Sequence, residues 1–383
     1  MGQAELLWLL LPVAAFSGWW IARRERKNSS VELPSAYFQG LNFLLNEQPD
    51  KAIEVFVRVL EVNSETAETH MALGNLFRRR GEVERAIRIH QNLIARPTLG
   101  KDQKGQALLE LGQDYLKAGL YDRAENLFLQ LRENPFHRQN ALRLLLDIYQ
   151  KEKEWDKAID VSHGLDRLSG KSHADVIAHY YCELAEDALA ASNHLLAQKH
   201  IKHALSSDPA SVRASLLQGQ IDAGNADYRS AIKAWKRVEH QGLQFLGEAV
   251  GPIADAYRKL GDEGGLYRYF SELAGRYNNI PVMLEFADII RERDGVKVAE
   301  QFVVDWLRRR PTVHGLYRLI ELNLLKNDED SKDLLLLKTI IGQLCERQTG
   351  YVCHKCGFKG RTLHWLCPGC NHWNTFKPVE DIV

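Results

Sequence analysis

A recurring spacing limits how this chain can fold more than any single motif does. Residues 36–53 read AYFQGLNFLLNEQPDKAI, residues 70–87 read HMALGNLFRRRGEVERAI and residues 108–125 read LLELGQDYLKAGLYDRAE. Gly40, Gly74 and Gly112 align; Phe43, Phe77 and Tyr115 follow three residues later, and Ala52, Ala86 and Ala124 nine after that. The alanine position recurs at Ala158, Ala197, Ala231, Leu266 and Ala299, giving intervals of 34, 38, 34, 39, 34, 35 and 33 residues. Self-similarity at such a period describes a stack of small units, none able to bury its apolar face alone.

The pattern resembles the tetratricopeptide repeat, with two antiparallel helices per unit, and gives about eight units over residues 36–311. Small side chains at the glycine and alanine positions let the paired helices approach closely, and the aromatic fills the gap between neighbouring units. Pro97, Pro135, Pro209 and Pro311 stop the second helices, because proline cannot donate to the helix ladder. The longer intervals place their extra residues in connecting loops, where they cost least. Two further helical runs, LYRLIELNLLK and DLLLLKTIIGQLCER, joined by NDEDS, read as a divergent cap over residues 312–347. A stack of this kind curves into a superhelical solenoid whose groove is lined by the first helix of each pair. The register predicts Asn75, Arg78, Gln113, Lys117 and Arg143 on that lining, a basic and amide surface suited to an acidic or extended partner segment. The plain alternative for each of them is a solvated charged face.

Near the C-terminus the chain reads YVCHKCGFKGRTLHWLCPGC. Cys353-x-x-Cys356 and Cys367-x-x-Cys370, ten residues apart, supply two knuckles whose four thiolates satisfy tetrahedral coordination. Gly357 and Gly369 suit tight turns with positive φ, and Pro368 stiffens the second knuckle. Residues 348–383 therefore form a small domain held by one metal ion, iron or zinc, since both tolerate four thiolates. A complete four-cysteine set leaves no open position for water or substrate, which argues against hydrolytic metal catalysis. His354, His364 and His372 read as surface groups beside the completed set, and Cys182 and Cys345 as structural thiols. The spacing and the flanking Tyr351, Phe358, Trp365 and Trp373 resemble a shortened rubredoxin-type fold. A redox dithiol would sit at a helix start in a strand–helix alternation, and none is read here. Only seven residues separate Cys345 from Cys353, so the knuckle domain is expected to fold back on the helices.

The other end is apolar. Residues 6–22 read LLWLLLPVAAFSGWWIA, an uncharged run of 17 residues that as a helix spans roughly 25 Å, close to the thickness of a hydrocarbon core. Trp8 at one end and Trp19 and Trp20 at the other suit the two interfaces, and RRERK follows at once. Arg23 and Arg24 begin that cluster and assign the following chain to the cytoplasmic side of the membrane by the positive-inside rule. A cleaved signal peptide would carry its basic residues before the run, not after it. Residues 1–22 are read as one transmembrane helix with a periplasmic N-terminus, and 23–35 as a basic juxtamembrane linker.

The fold class expected is all-α: a tetratricopeptide-repeat superhelical solenoid with an N-terminal transmembrane helix and a small rubredoxin-like knuckle of four cysteines. Fifty basic and fifty acidic residues balance, so the summed field gives no pull toward nucleic acid. No phosphate-binding, nucleophile-elbow or zinc-protease signature occurs, which points away from an enzyme.

The combination of anchor, repeat array and YVCHKCGF…LHWLCPGCNHW resembles the lipopolysaccharide assembly protein B family of Gram-negative inner membranes. That resemblance implies an adaptor limiting lipopolysaccharide synthesis, by helping to present the committed-step lipid A deacetylase to an FtsH-type membrane AAA+ protease. It further implies an inner-membrane lipopolysaccharide-sensing regulator and lipopolysaccharide assembly enzymes as partners, and admits a homodimer. Two other readings stand beside it: a rubredoxin-like electron-transfer protein docked on a repeat platform, and a general scaffold for lipopolysaccharide enzymes with no proteolytic role.

Overall fold

The structure, a computed structural model, describes residues 66–326, 332–347 and 350–379, with Gln39, Gly40, Asn42, Phe43, Gln48, Lys51 and Val55 ahead of them. Residues 6–22, expected as the anchor, lie outside the described residues, as do Trp8, Trp19, Trp20, Arg23, Arg24 and Ala52. Among the described residues no helix is long and apolar enough to cross a membrane. The chain divides into two compact units, residues 1–148 and 149–383.

In the first unit the helices come as hairpins. α1 (Ala67–Arg80) pairs with α2 (Val83–Ile94), and α3 (Lys101–Lys117) with α4 (Tyr121–Leu131); α5 (Arg138–Glu152) begins here. Gly81 takes φ +85° at the end of α1, the left-handed cap that a side chain would strain. Pro97 and Pro135 follow the ends of α2 and α4, as the sequence predicts. A buried polar cluster ties one hairpin to the next: His90 Nδ1 lies 2.5 Å from Asp114 Oδ2, and Arg78 donates to Asp114 (2.8 Å) and Glu110 (2.6 Å). Asp114 and His90 are fully buried, so each satisfies a group that would be costly alone.

The second unit continues with α6 (Trp155–Ser169), α7 (Ala174–Ala190), α8 (His194–Ser207), α9 (Val212–Gly224), α10 (Tyr228–Lys236) and a short α11 (Val238–Gln241). Then come α12 (Leu246–Leu260), α13 (Glu263–Arg276), α14 (Ile280–Asp294), α15 (Val296–Arg309), α16 (Val313–Leu324) and α17 (Lys332–Arg347). Asn193, Ser211, Asp227, Asp262, Asn279 and Thr312 cap six of these helices with a side-chain acceptor. The outer helix α17 leaves Leu335, Leu336 and Leu337 about half exposed.

The repeat's small residues have a specific partner. A Cβ on Gly74 would lie 2.4 Å from His90, one on Gly112 2.3 Å from Phe128, and one on Gly219 2.2 Å from Trp235. Each ring belongs to the second helix and sits sixteen residues on. Where alanine replaces the glycine, residue sixteen on is aliphatic or packs beside it: Ala185 shares a core with Ile201, and Ala254 and Ala287 share one with Phe270 and Val303. Ala86, Ala124, Ala158, Ala197, Ala231 and Ala299 are all fully buried, and Leu266 keeps 3% exposure in the same role.

Beyond α17 the chain changes class. β1 (Tyr351–Cys353) pairs antiparallel with β2 (Lys359–Gly360) and with β3 (Phe376–Pro378), giving the order β2-β1-β3. The all-α expectation is corrected here: two- and three-residue strands are too short to show the alternation by which strands are read from sequence.

Candidate metal centre

The two knuckles repeat one backbone design. In the first, Gly357 N–H donates to Cys353 O (2.9 Å) and Cys353 N–H to Phe358 O (2.8 Å); in the second, Asn371 N–H donates to Cys367 O (2.8 Å) and Cys367 N–H to His372 O (3.1 Å). Each turn closes with a residue in the left-handed region directly after the second cysteine, Gly357 at φ +75° and Asn371 at φ +51°. Glycine and asparagine are the residues that adopt it at least cost. Gly369, expected to share this role, has no positive φ. Its service is space: a Cβ there would lie 3.2 Å from both Cys356 Sγ and Phe358 Cβ.

The turns deliver four sulfurs to one point. Cys353 and Cys370 Sγ lie 3.7 Å apart, Cys356 and Cys367 Sγ 3.6 Å, and all four fall within 4.8 Å of one another. An ion held tetrahedrally at about 2.3 Å from each sulfur requires ligands about 3.8 Å apart. The residues fit the ion. Lys355 N–H donates to Cys353 Sγ at 3.4 Å, and Thr375 Oγ1 lies 3.3 Å from the same sulfur. Burial pushes the Cys353 thiol up, but Thr375 and the amides of Cys356 and Lys355 outweigh it and bring Cys353 down to about 5. Burial, then the neighbouring sulfurs of Cys356, Cys367 and Cys353, hold Cys370 up at about 12. Four sulfurs this close cannot all ionise unaided; a dication removes the conflict. His354, His364 and His372 stay outside the cluster, and His372 Nδ1 contacts Cys370 O at 2.6 Å.

The knuckle domain packs against the second unit's helices, as its short tether predicts. Trp373 is the centrepiece: its ring stacks on His179 (4.8 Å, 17°), meets Trp155 and Tyr180 edge-on, and its Nε1–H donates to Gln150 Oε1 at 3.2 Å. Asn374 Oδ1 lies 2.6 Å from His179 Nε2, and the Arg213 guanidinium lies 6.0 Å from the Trp373 ring centre. Trp365 packs on Phe245, and the Tyr351 hydroxyl donates to Glu248. Three of these contacts come from one row: His179, Arg213 and Glu248 are 34 and 35 residues apart, equivalent positions on α7, α9 and α12. Reading motifs one at a time missed this row, though the spacing that exposes the repeats also marks it.

The residues expected on a partner groove are dispersed in role. Arg78 is committed to Glu110 and Asp114, Asn75 keeps a buried Oδ1 without a partner, Gln113 is half-buried, and Lys117 and Arg143 are exposed.

Comparison with known proteins agrees with this division. A tetratricopeptide repeat family model matches residues 23–309, and one described as a rubredoxin metal binding domain matches residues 351–378. Over 99% of both chains, the sequence is 37% identical to lipopolysaccharide assembly protein B of Escherichia coli K12. It is 34% identical to the protein of that name from Haemophilus influenzae, over 98% of each chain. Among solved structures, a tetratricopeptide repeat protein from Parabacteroides merdae aligns at TM-score 0.31 and 12% identity, covering 73% of this chain and 99% of its own.

Proposed function

The chain belongs to the lipopolysaccharide assembly protein B family, and from that premise we propose that it is a non-enzymatic inner-membrane adaptor that restrains lipopolysaccharide synthesis. In this reading the 6–22 segment anchors the chain with its bulk on the cytoplasmic side. The helical hairpins receive the committed-step lipid A deacetylase and present it to an FtsH-type AAA+ protease. An inner-membrane lipopolysaccharide-sensing regulator opposes that delivery, and the same surface helps gather lipopolysaccharide assembly enzymes. The observation that supports it most is the pairing of a repeat scaffold with a closed metal set: four sulfurs fill a tetrahedral ion's coordination, so the ion suits holding a shape better than turning over a substrate. Tethering adds the rest, since confining adaptor, protease and target to one surface raises apparent affinity by ~10²–10⁴ without new contacts.

The test is the cellular half-life of the deacetylase. Depleting the protein should lengthen it, and the wild type should restore it while a Cys353→Ser/Cys367→Ser variant should not. An unchanged half-life on depletion leaves the scaffold without a proteolytic role. One observation favours a second reading. Cys356 is exposed, and a thiolate ligand at the surface is what an electron-transfer centre needs. A reversible iron couple in protein isolated without added metal would support that reading, and one equivalent of zinc would remove it.

A further inference from the structure

The last helix before the knuckle domain, α17, packs on α16. Its inner side is marked by Lys338, whose ammonium reaches Glu321 at 3.2 Å and lies 5.6 Å from the Tyr317 ring centre. Gly342 stands on the same side, where a Cβ would meet the Tyr317 ring at 3.3 Å. Leu334, Ile341 and Cys345 share that side and are half-buried. The opposite side is apolar and exposed: Leu336 at 60%, Leu337 and Ile340 at 46%, and Leu344 at 47%. The end of a repeat stack ordinarily turns a polar face outward, because an apolar one invites association. This end keeps its apolar face.

The order of residues on that face says what covers it. A second copy of α17 laid antiparallel and centred on Ile340 sets Ile340 against itself and Leu336 against Leu344. The same register sets Leu337 against Gln343 and Asp333 against Arg347, and the two-fold makes each of these pairs twice. At 3.6 residues per turn all seven positions fall within roughly 60° of the line through Ile340. The face is therefore complementary to its own reverse, apolar in the middle and opposite in charge at its two ends. A surface shaped for an unlike partner has no reason to be so. We propose that α17 is a homodimer contact, through which two copies of this chain pair antiparallel on a two-fold axis at Ile340.

Sixteen residues make a helix about 24 Å long, and one such pair buries less than the roughly 800 Å² per partner of a standard interface. The contact is accordingly a weak one, sustained where copies of the chain are concentrated. The inference is independent of the adaptor reading, since it needs neither the deacetylase nor the protease.

Cysteines placed in the full chain, and joined by a short bismaleimide linker in intact cells before lysis, test it. The wild type carries every native thiol, Cys345 included, and sets the background. Ile340→Cys should give covalent dimer at least about tenfold above that background, because the proposed axis passes through it. Leu335→Cys, 56% exposed but turned away from the face, should stay at background. Leu336→Cys alone, or Leu344→Cys alone, leaves like thiols roughly 12 Å apart along the axis and should link poorly, whereas the two co-expressed should link to each other. On the Ile340→Cys chain, Asp333→Arg or Arg347→Asp puts like charges opposite one another and should cut linking about threefold or more. Making both changes should restore it, which damage to the helix would not. No dimer from Ile340→Cys overturns the contact, and equal linking at Leu335→Cys overturns it as well, since the face would then meet lipid or another protein without register. If the double reversal links no better than the singles, the antiparallel register is wrong.

Discussion

The helices and the knuckle domain reach order by opposite means. In the helical part Gly74, Gly112 and Gly219 each make room for a ring sixteen residues on, and fully buried alanines recur from Ala86 to Ala299. The design is repetitive, so losing one contact leaves its neighbours in place. The knuckle domain has three short strands and a core in which Cys353, Cys367 and Phe376 are the buried members. A segment of this size cannot bury enough apolar surface to order itself. Its four sulfurs and its seat on His179, Tyr180 and Trp155 take the place of a core. It follows that the helices should tolerate single defects and the knuckle domain should not.

The most severe test of that contrast is Cys353→Ser/Cys367→Ser. Apparent binding energies of structural metal sites of this kind are on the order of 10 kcal/mol or more, larger than the whole stability of many domains. Hydrogen exchange should show protection lost throughout residues 351–378 and kept in α12 to α15. If the two regions lost protection together, the helices would depend on the knuckle domain as much as it depends on them.

A second probe addresses the seat. Burial holds His179 down at about 4 from an ordinary 6.5, with Arg213 pushing the same way and the Asn374 hydrogen bond and Asp175 opposing. Below 6.5 the exposed imidazole takes up a proton that the buried one refuses, so the unfolded state binds more protons and stability falls as pH falls. The contribution is intact above about pH 6.5 and drains toward pH 4, by about 3 kcal/mol in full. Chemical denaturation across that range should show this slope in the wild type and a shallower one in His179→Gln. The variant corrects for protonation of the thiolates, which both proteins share. Equal slopes would mean that His179 is reached by solvent in the seated state.

How much of this was legible in the sequence follows from which signals are local. The hairpins were legible because the Gly-x-x-aromatic pattern and its later alanine recur at one period, and the ligand set because two C-x-x-C pairs state it outright. The role of Asn371 was legible too, had the second knuckle been laid over the first: Asn371 follows Cys370 as Gly357 follows Cys356. The sheet was not, because strands of two or three residues carry no periodicity. Nor was the fate of Arg78. Its position on the first helix marks it as groove-facing, but Glu110 and Asp114, more than thirty residues on, take it for internal packing. Long-range pairing of that kind depends on how one hairpin turns against the next, which no single stretch encodes.

The smallest effect tests the tolerance of the helices directly. A Cβ at Gly219 would meet the Trp235 indole at 2.2 Å from Nε1, and that nitrogen donates to Leu216 O at 3.1 Å. The ring therefore cannot swing away without giving up its hydrogen bond or shifting α10 against α9. Overpacking of this sort costs about 1–3 kcal/mol, while alanine in a helix interior regains up to about 1 kcal/mol over glycine. Gly219→Ala should lower the urea midpoint by a net loss of about 1–2 kcal/mol, leave the slope of the transition unchanged and leave one metal ion bound per chain. Because Trp235 shares its core with Phe245, and Phe245 packs on Trp365, the same substitution is the mildest way to press on the knuckle domain from the helical side. Loss of the metal from Gly219→Ala would show that the helices' tolerance ends where the knuckle domain is seated.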